Sequence, residues 1–146
     1  MKNEEIKSAK NAELSTNLDV IKGVYHAFAT GDFPAFLNAM DPKIEWIEAE
    51  NFPYADGNPY IGPDAVVQGV MGRIGADWEY WTITDQVYRV TLDGMVIVTA
   101  RYNGKHKITG KVIRAQVTHM WTLNDGKIIR FQQYADTLQV TRAMQN

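Results

Sequence analysis

Gln116-Val-Thr-His-Met-Trp-Thr-Leu-Asn-Asp-Gly-Lys-Ile-Ile-Arg-Phe-Gln-Gln-Tyr-Ala-Asp136 consists of two apolar-rich runs on either side of Asn124-Asp125-Gly126. An Asx-Gly pair between such runs is a strong hairpin signal, because glycine accepts the positive φ that a tight turn requires. The first run is rich in β-branched and aromatic residues, which suit a pleated, half-buried surface. The second ends on a carboxylate, Asp136, directly after Tyr134 and Ala135. A carboxylate there is costly unless it meets water, a partner or a ligand. Asp136 is therefore the first candidate for chemistry.

Upstream of this hairpin, strands over 80–92 and 95–103 are expected, turned by Asp93-Gly94, with a polar connection over 104–110. Before Asp77 the period changes. Leu18, Ile21, Val24, Tyr25 and Phe28 recur at helical spacing, with Asn17 placed to cap that helix and Gly31 to close it. His26 lies beside this stripe and reads as a surface or half-buried residue. Further helices are expected near 33–40, behind Pro34, and 63–75, behind Pro63. Between them, 43–49 alternates, so Trp46 and Glu48 share one side of a first strand. Residues 51–63 carry three prolines and two glycines and read as a loop bearing Tyr54 and Tyr60. Gly69, Gly72 and Gly75 do not have the dinucleotide-binding spacing; close packing of a helix on the sheet explains them better. Helices first and an antiparallel meander second give an α+β domain. Residues 1–16 are expected to be a polar, frayed or loosely docked leader, 17–140 the domain and 141–146 a tail, with the short stretch after Thr137 helical or frayed.

The 146 residues suffice for one domain with its own core. A net charge of −2 favours neither nucleic acid nor an anionic membrane as partner. There is no cysteine, which excludes a disulfide framework and thiolate chemistry and suits the cytoplasm. Neither a signal-peptide core nor a run of membrane-spanning length is expected.

Several chemistries can be struck out. His26, His106 and His119 lack metal-ligand spacing, so no metal is expected. The only two serines, Ser8 and Ser15, lie in the leader, and no nucleophile elbow or phosphate-binding loop is present. What remains is a set of strand-borne polar residues: Glu48, Arg101, Asn103, Thr118, His119 and Asp136. Arg101 and Asn103 share a strand face. An Arg beside a carboxylate is either a structural ion pair or an orienting pair at a site.

Four segments in this order resemble the SnoaL-like branch of the nuclear transport factor 2-like superfamily over roughly residues 17–140. They are Tyr25–Asp32, the stretch Asp41-Pro42-Lys43-Ile44-Glu45-Trp46, the stretch Tyr60-Ile61-Gly62-Pro63-Asp64-Ala65-Val66, and His119–Ile128 continuing through Tyr134-Ala135-Asp136-Thr137. The resemblance implies a cone-shaped, strongly curved antiparallel sheet packed against three N-terminal helices around an apolar pocket. It does not by itself choose a function, because the superfamily holds isomerases, cyclases, dehydratases, epoxide hydrolases and binders without activity. Against limonene epoxide hydrolase, Asp136 and Arg101 match two positions, but Asn103 replaces the second acid, and Trp46 and Glu48 replace the Tyr and Asn that hold water. Against ketosteroid isomerase, Glu48 falls near the base, while Val24 and Thr118 take the oxyanion positions, with Tyr25 one residue off register from the first. Polyketide cyclases of this branch rely on one Asp, a role that Asp136 suits.

The resulting expectation is a pocket for a small apolar, cyclic or carbonyl-bearing molecule, used by an enzyme of isomerase, cyclase or lyase type that needs no cofactor. Asp136, Arg101 and Glu48 are the catalytic candidates. Trp46, Tyr60, Asn103, Thr118 and His119 are the ligand-binding candidates, with His119 also a candidate for the outer face of the sheet. The alternative is a non-catalytic ligand-binding or dimerising module. A homodimer through the outer sheet face is expected from its apolar residues.

Overall fold

The computed structural model describes residues 2–146; Met1 lies outside the described residues. A helix α1 spans Lys2–Thr30, α2 spans Phe33–Ala39, and strand β1 spans Met40–Ile47. A single 3₁₀ turn at Ala55–Gly57 and the short β2, Tyr60–Ile61, follow. Helix α3, Pro63–Val66, continues through a π turn, Val67–Met71, into α4, Gly72–Asp77. Then come β3 (Trp78–Val90), β4 (Val96–His106), β5 (Val112–Asn124), β6 (Lys127–Ala135) and a terminal α5 (Thr137–Ala143).

The N-terminal leader is helical. Residues 2–22 contain neither proline nor glycine and are rich in Lys, Glu and Ala, so a helix nucleated on the packed segment after Asn17 propagates backwards at little cost. Glu4 and Glu5 in the first turn favour its dipole. Asn17 is therefore no cap. It is buried mid-helix, and its Nδ2 donates to Gly94 O at 2.9 Å, tying α1 to the β3–β4 turn. Gly31, at φ 71°, does close the helix.

The six strands form one sheet in the order β2-β1-β6-β5-β4-β3. The β5–β6 hairpin turns on Asp125 and Gly126, both at positive φ, as the Asn-Asp-Gly signal requires. The sheet is mixed rather than wholly antiparallel, since β1 runs parallel to β6 with Trp46 opposite Phe131. Helices join β1 to the meander, so no tight hairpin constrains its direction. Alternation decides the two faces. Val96, Val98, Ala100 and Tyr102 on β4, and Ile113, Ala115, Val117, His119 and Trp121 on β5, are buried under the helices. The residues between them face outward.

The core has two parts. One joins Ile21, Val24, Phe36, Ile44, Trp46, Val66, Trp121 and Phe131. The other joins Phe52, Tyr54, Trp78, Tyr102, Ile113 and Val140 under the terminal helix. There Tyr54 Oη donates to Asp77 Oδ2 at 2.7 Å and accepts from Trp78 Nε1 at 3.1 Å, fixing the loop to the start of β3. No helix among the described residues is long and apolar enough to cross a membrane.

Candidate functional site

Between the helices and the inner sheet face lies a cavity of about 580 Å³. Phe28, Phe36, Val70, Met71 and Ile74 line its helical side, and Trp46, Trp121 and Phe131 its sheet side. Trp46 stacks on Phe131 with centroids 3.8 Å apart. Exposed Asp32, Phe33, Tyr80 and Thr82 form the rim. Such a mainly apolar concavity with a few convergent polar groups is the usual form of a small-molecule site.

Glu48 is the polar group that stands out. It continues the inner face of β1 after Ile44 and Trp46 and is 2% exposed. Its main chain is clasped by Asn58, whose Oδ1 accepts from Glu48 N at 2.9 Å and whose Nδ2 donates to Glu48 O at 2.8 Å. The backbone is thus fixed, yet side-chain Oε2 and the neighbouring Trp46 Nε1 are buried without a hydrogen-bond partner. Burial pushes the Glu48 carboxyl up to about 8; the Trp46 N–H nearby favours the anion but makes no well-formed bond to it.

A hydrogen-bonded chain crosses the same wall. Trp121 Nε1 donates to Tyr25 Oη at 3.0 Å, and Tyr25 Oη contacts His119 Nδ1 at 2.6 Å. His119 Nε2 contacts Tyr102 Oη at 2.6 Å, which accepts from Gln133 Nε2 at 2.8 Å. Burial depresses His119 to about 3, so the ring is neutral. Burial raises both tyrosine hydroxyls well above their ordinary value, and in Tyr102 the Glu48 charge adds to the rise. Tyr102 and Glu48 therefore share the polar end of the cavity.

Three of the sequence candidates, Trp46, Glu48 and His119, come together on this wall. The others do not. Asp136 is the N-cap of α5, its Oδ1 accepting from Gln139 N at 3.2 Å and its Oδ2 from Gln139 Nε2 at 3.1 Å. The end of an apolar strand is here the start of a helix, where the Gln139 backbone N–H and side-chain amide satisfy the carboxylate. Arg101, Asn103 and Thr118 point away from the cavity, because Tyr102 and His119 occupy the inward positions and a strand alternates strictly. Asn103 Nδ2 donates to Thr84 Oγ1 at 2.8 Å on that outer side, where Arg101 and Thr118 border a separate, open hollow. His119 is accordingly inward, not on the outer face. Tyr60 is core rather than cavity wall: its ring is held between Gly57 and Gly69, and its Oη donates to Tyr54 O at 2.6 Å. The expected convergence of Asp136, Arg101 and Glu48 is thus corrected to Glu48 alone.

Tyr25 stands out in the sequence only for lying one residue from the oxyanion tyrosine position that Val24 takes, and Tyr102 and Gln133 are not singled out there. Period two from His119 along the hairpin, carried across to β4, would have found the latter two; the long-range partnership of Tyr25 leaves no local signal.

The chain matches the family model of the SnoaL-like domain over residues 21–131. No curated protein matches it. Among solved structures, an NTF2-like protein from Burkholderia thailandensis is 34% identical, with a TM-score of 0.84 over 89% of this chain and 98% of that one. TerC, co-crystallised with polyporic acid, is 20% identical with a TM-score of 0.79, covering 90% of this chain and 99% of its own. A protein provisionally named a SnoaL-like polyketide cyclase, from Jannaschia, is 16% identical with a TM-score of 0.76, covering 89% and 92%.

Proposed function

This chain belongs to the SnoaL-like domain family of NTF2-like proteins, and on that premise we propose that it is an acid/base enzyme of isomerase, cyclase or lyase type. The substrate in this reading is a small apolar molecule, cyclic or carbonyl-bearing. The observation that carries it is Glu48, a carboxyl buried to 2% exposure on the cavity wall with Oε2 unpartnered. A buried polar atom left without a partner is costly, and a ligand that supplies the partner recovers that cost.

With its pKa raised to about 8, Glu48 is mainly protonated near neutrality and can donate to a substrate oxygen. Its ionised fraction can take a proton from the carbon beside a carbonyl. Trp46 N–H offers a second donor beside it. Such proton movement needs no cofactor. Structural neighbours named as a polyketide cyclase or crystallised with polyporic acid support a cyclic, oxygenated ligand. The cone-like wrap of the sheet belongs to the same proposal, supported by the register irregularities in β3 and β6.

The test is deuterium exchange. Incubated in D₂O with a panel of small cyclic ketones, the wild type is expected to label the carbon next to the carbonyl faster than buffer does, and Glu48→Gln is not. Equal labelling in both proteins defeats the assignment. A second reading, a non-catalytic ligand carrier, is favoured by the fact that neither Asp136 nor Arg101 joins Glu48 in the cavity. It predicts binding without exchange. In either reading we propose a homodimer through the outer sheet face, where Val87 and Tyr134 are about half exposed.

A further inference from the structure

The Tyr25–His119–Tyr102 chain contains more protons than its internal contacts can use. Trp121 Nε1 carries only a hydrogen, so its contact with Tyr25 Oη is filled from the tryptophan side. Gln133 is oriented unambiguously: its Oε1 faces Ala49 N at 3.1 Å, a group that can only donate, so its Nε2 must face Tyr102 Oη. Both outer contacts of the chain are therefore filled by donors that lie beyond it.

Two contacts remain, Tyr25 Oη with His119 Nδ1 and Tyr102 Oη with His119 Nε2. Three protons are available for them: one on each tyrosine and one on the neutral imidazole. If Nε2 carries the ring proton, it donates to Tyr102, Tyr25 donates to Nδ1, and the Tyr102 hydroxyl proton is left over. If Nδ1 carries it, the Tyr25 hydroxyl proton is left over. Among the described residues neither hydroxyl has another hydrogen-bonding partner. Both tyrosines line the cavity.

We propose that this chain presents one free tyrosine hydroxyl to the cavity as a specificity-determining donor for an oxygen acceptor of the bound molecule, with the His119 tautomer selecting whether Tyr25 or Tyr102 supplies it. This rests on the reading of the cavity as a small-molecule site and narrows the ligand: an apolar hydrocarbon of the right shape leaves a buried O–H unsatisfied, whereas a ketone, quinone or enol oxygen accepts it. His119 acts through the tyrosines and is a positioning residue.

The experiment uses 1-tetralone as the carbonyl probe and its parent hydrocarbon, tetralin, as the control. In ¹⁵N-labelled wild type, the two His119 ring nitrogens are expected to report a neutral ring, and saturation with 1-tetralone is expected to shift the tautomer ratio while tetralin does not. The infrared carbonyl stretch of bound 1-tetralone is expected to move to lower frequency. A phenol donates to an imidazole nitrogen more strongly than imidazole donates to a phenol, so a lone remaining tyrosine spends its proton on the ring. Tyr102→Phe should therefore lock the Nε2–H tautomer and Tyr25→Phe the Nδ1–H tautomer. Each should lose most of the carbonyl shift. Opposite tautomers in the two variants check the proton count; loss of the carbonyl shift in both is the result that a merely structural role does not produce.

A wild-type tautomer ratio unmoved by 1-tetralone overturns the proposal without any variant having to fold. So does tighter uptake of tetralin than of 1-tetralone. Uptake of neither molecule overturns it together with the small-molecule reading of the cavity. Loss of deuterium exchange in Glu48→Gln with the carbonyl shift retained supports both proposals separately; loss of the carbonyl shift in wild type with exchange intact overturns this one alone.

Discussion

The Trp46 indole N–H and the Glu48 carboxyl oxygen Oε2 lie two residues apart on one face of the chain, both buried and both without a hydrogen-bond partner. The Glu48 main chain beside them is satisfied, since Asn58 clasps it on both sides. Native proteins leave few such groups unpaired, and the ligand-binding reading proposed above gives both of them a partner.

The buried Glu48 makes stability depend on pH. Its folded value of about 8 stands above the ordinary 4.5, so between these values the folded chain keeps a proton that the unfolded chain has released. Stability from this group is complete below the lower value, falls as pH rises through the window, and is flat above it. The expected loss across the window, relative to Glu48→Gln, is on the order of 5 kcal/mol. Urea denaturation of both proteins at several pH values measures it. A difference between them that stays constant with pH would refute the assignment.

Asp136 is expected to matter for stability and not for the cavity. Asp136→Ala removes the cap of α5 and should cost roughly 1 kcal/mol, whereas Asp136→Asn, which caps equally well, should cost little. Neither should change uptake of an apolar ligand, measured by calorimetry. Loss of binding or turnover in Asp136→Asn would restore a chemical role to this residue.

Gly69→Ala should destabilise the fold although alanine is the better helix former. A Cβ at this position would run into the Tyr60 ring. The ring is wedged on its other side by Gly57 and pinned by its hydroxyl to Tyr54 O, so it has nowhere to retreat. A loss of about 1–3 kcal/mol is expected from this overpacking. A rise in melting temperature would show that the wedge is loose.

Light scattering on the purified protein should give twice the 16.5 kDa chain mass. Tyr134→Glu, on the outer face and 55% exposed in the single chain, should shift it toward the monomer because a buried unpaired carboxylate is costly at an interface. A monomer mass for the wild type at micromolar concentration sinks the dimer proposal.

Local signals carried most of the fold. Asn-Asp-Gly placed the β5–β6 turn, Gly31 ended α1, and period two put Trp46 and Glu48 on one face. What sequence could not decide was which side of each strand faces the helices. A single step of register exchanges Thr118 for His119 and Arg101 for Tyr102, and resemblance to distant relatives fixes position to no better than that step. Asp136 failed differently. The stretch after Thr137 reads as helical or frayed, but Asp136 reads as the end of the strand rather than as the cap of that seven-residue helix. The pairing of β1 with β6 was hidden because parallel partners joined through helices leave no turn signal.

The π turn at Val67–Met71 sits where the helix passes the cavity, with Val70 and Met71 on the wall and Ile74 one turn on. A π turn closes on i→i+5 rather than i→i+4 and so holds one residue more than an α turn. In an α-helix each residue advances the side-chain direction by about 100°. An extra residue in a plain α-helix would therefore swing Ile74 and everything after it around the axis; the π turn absorbs it, so Ile74 keeps its place on the wall. The cavity wall at this point thus depends on how the turn is wound as well as on the side chains it carries.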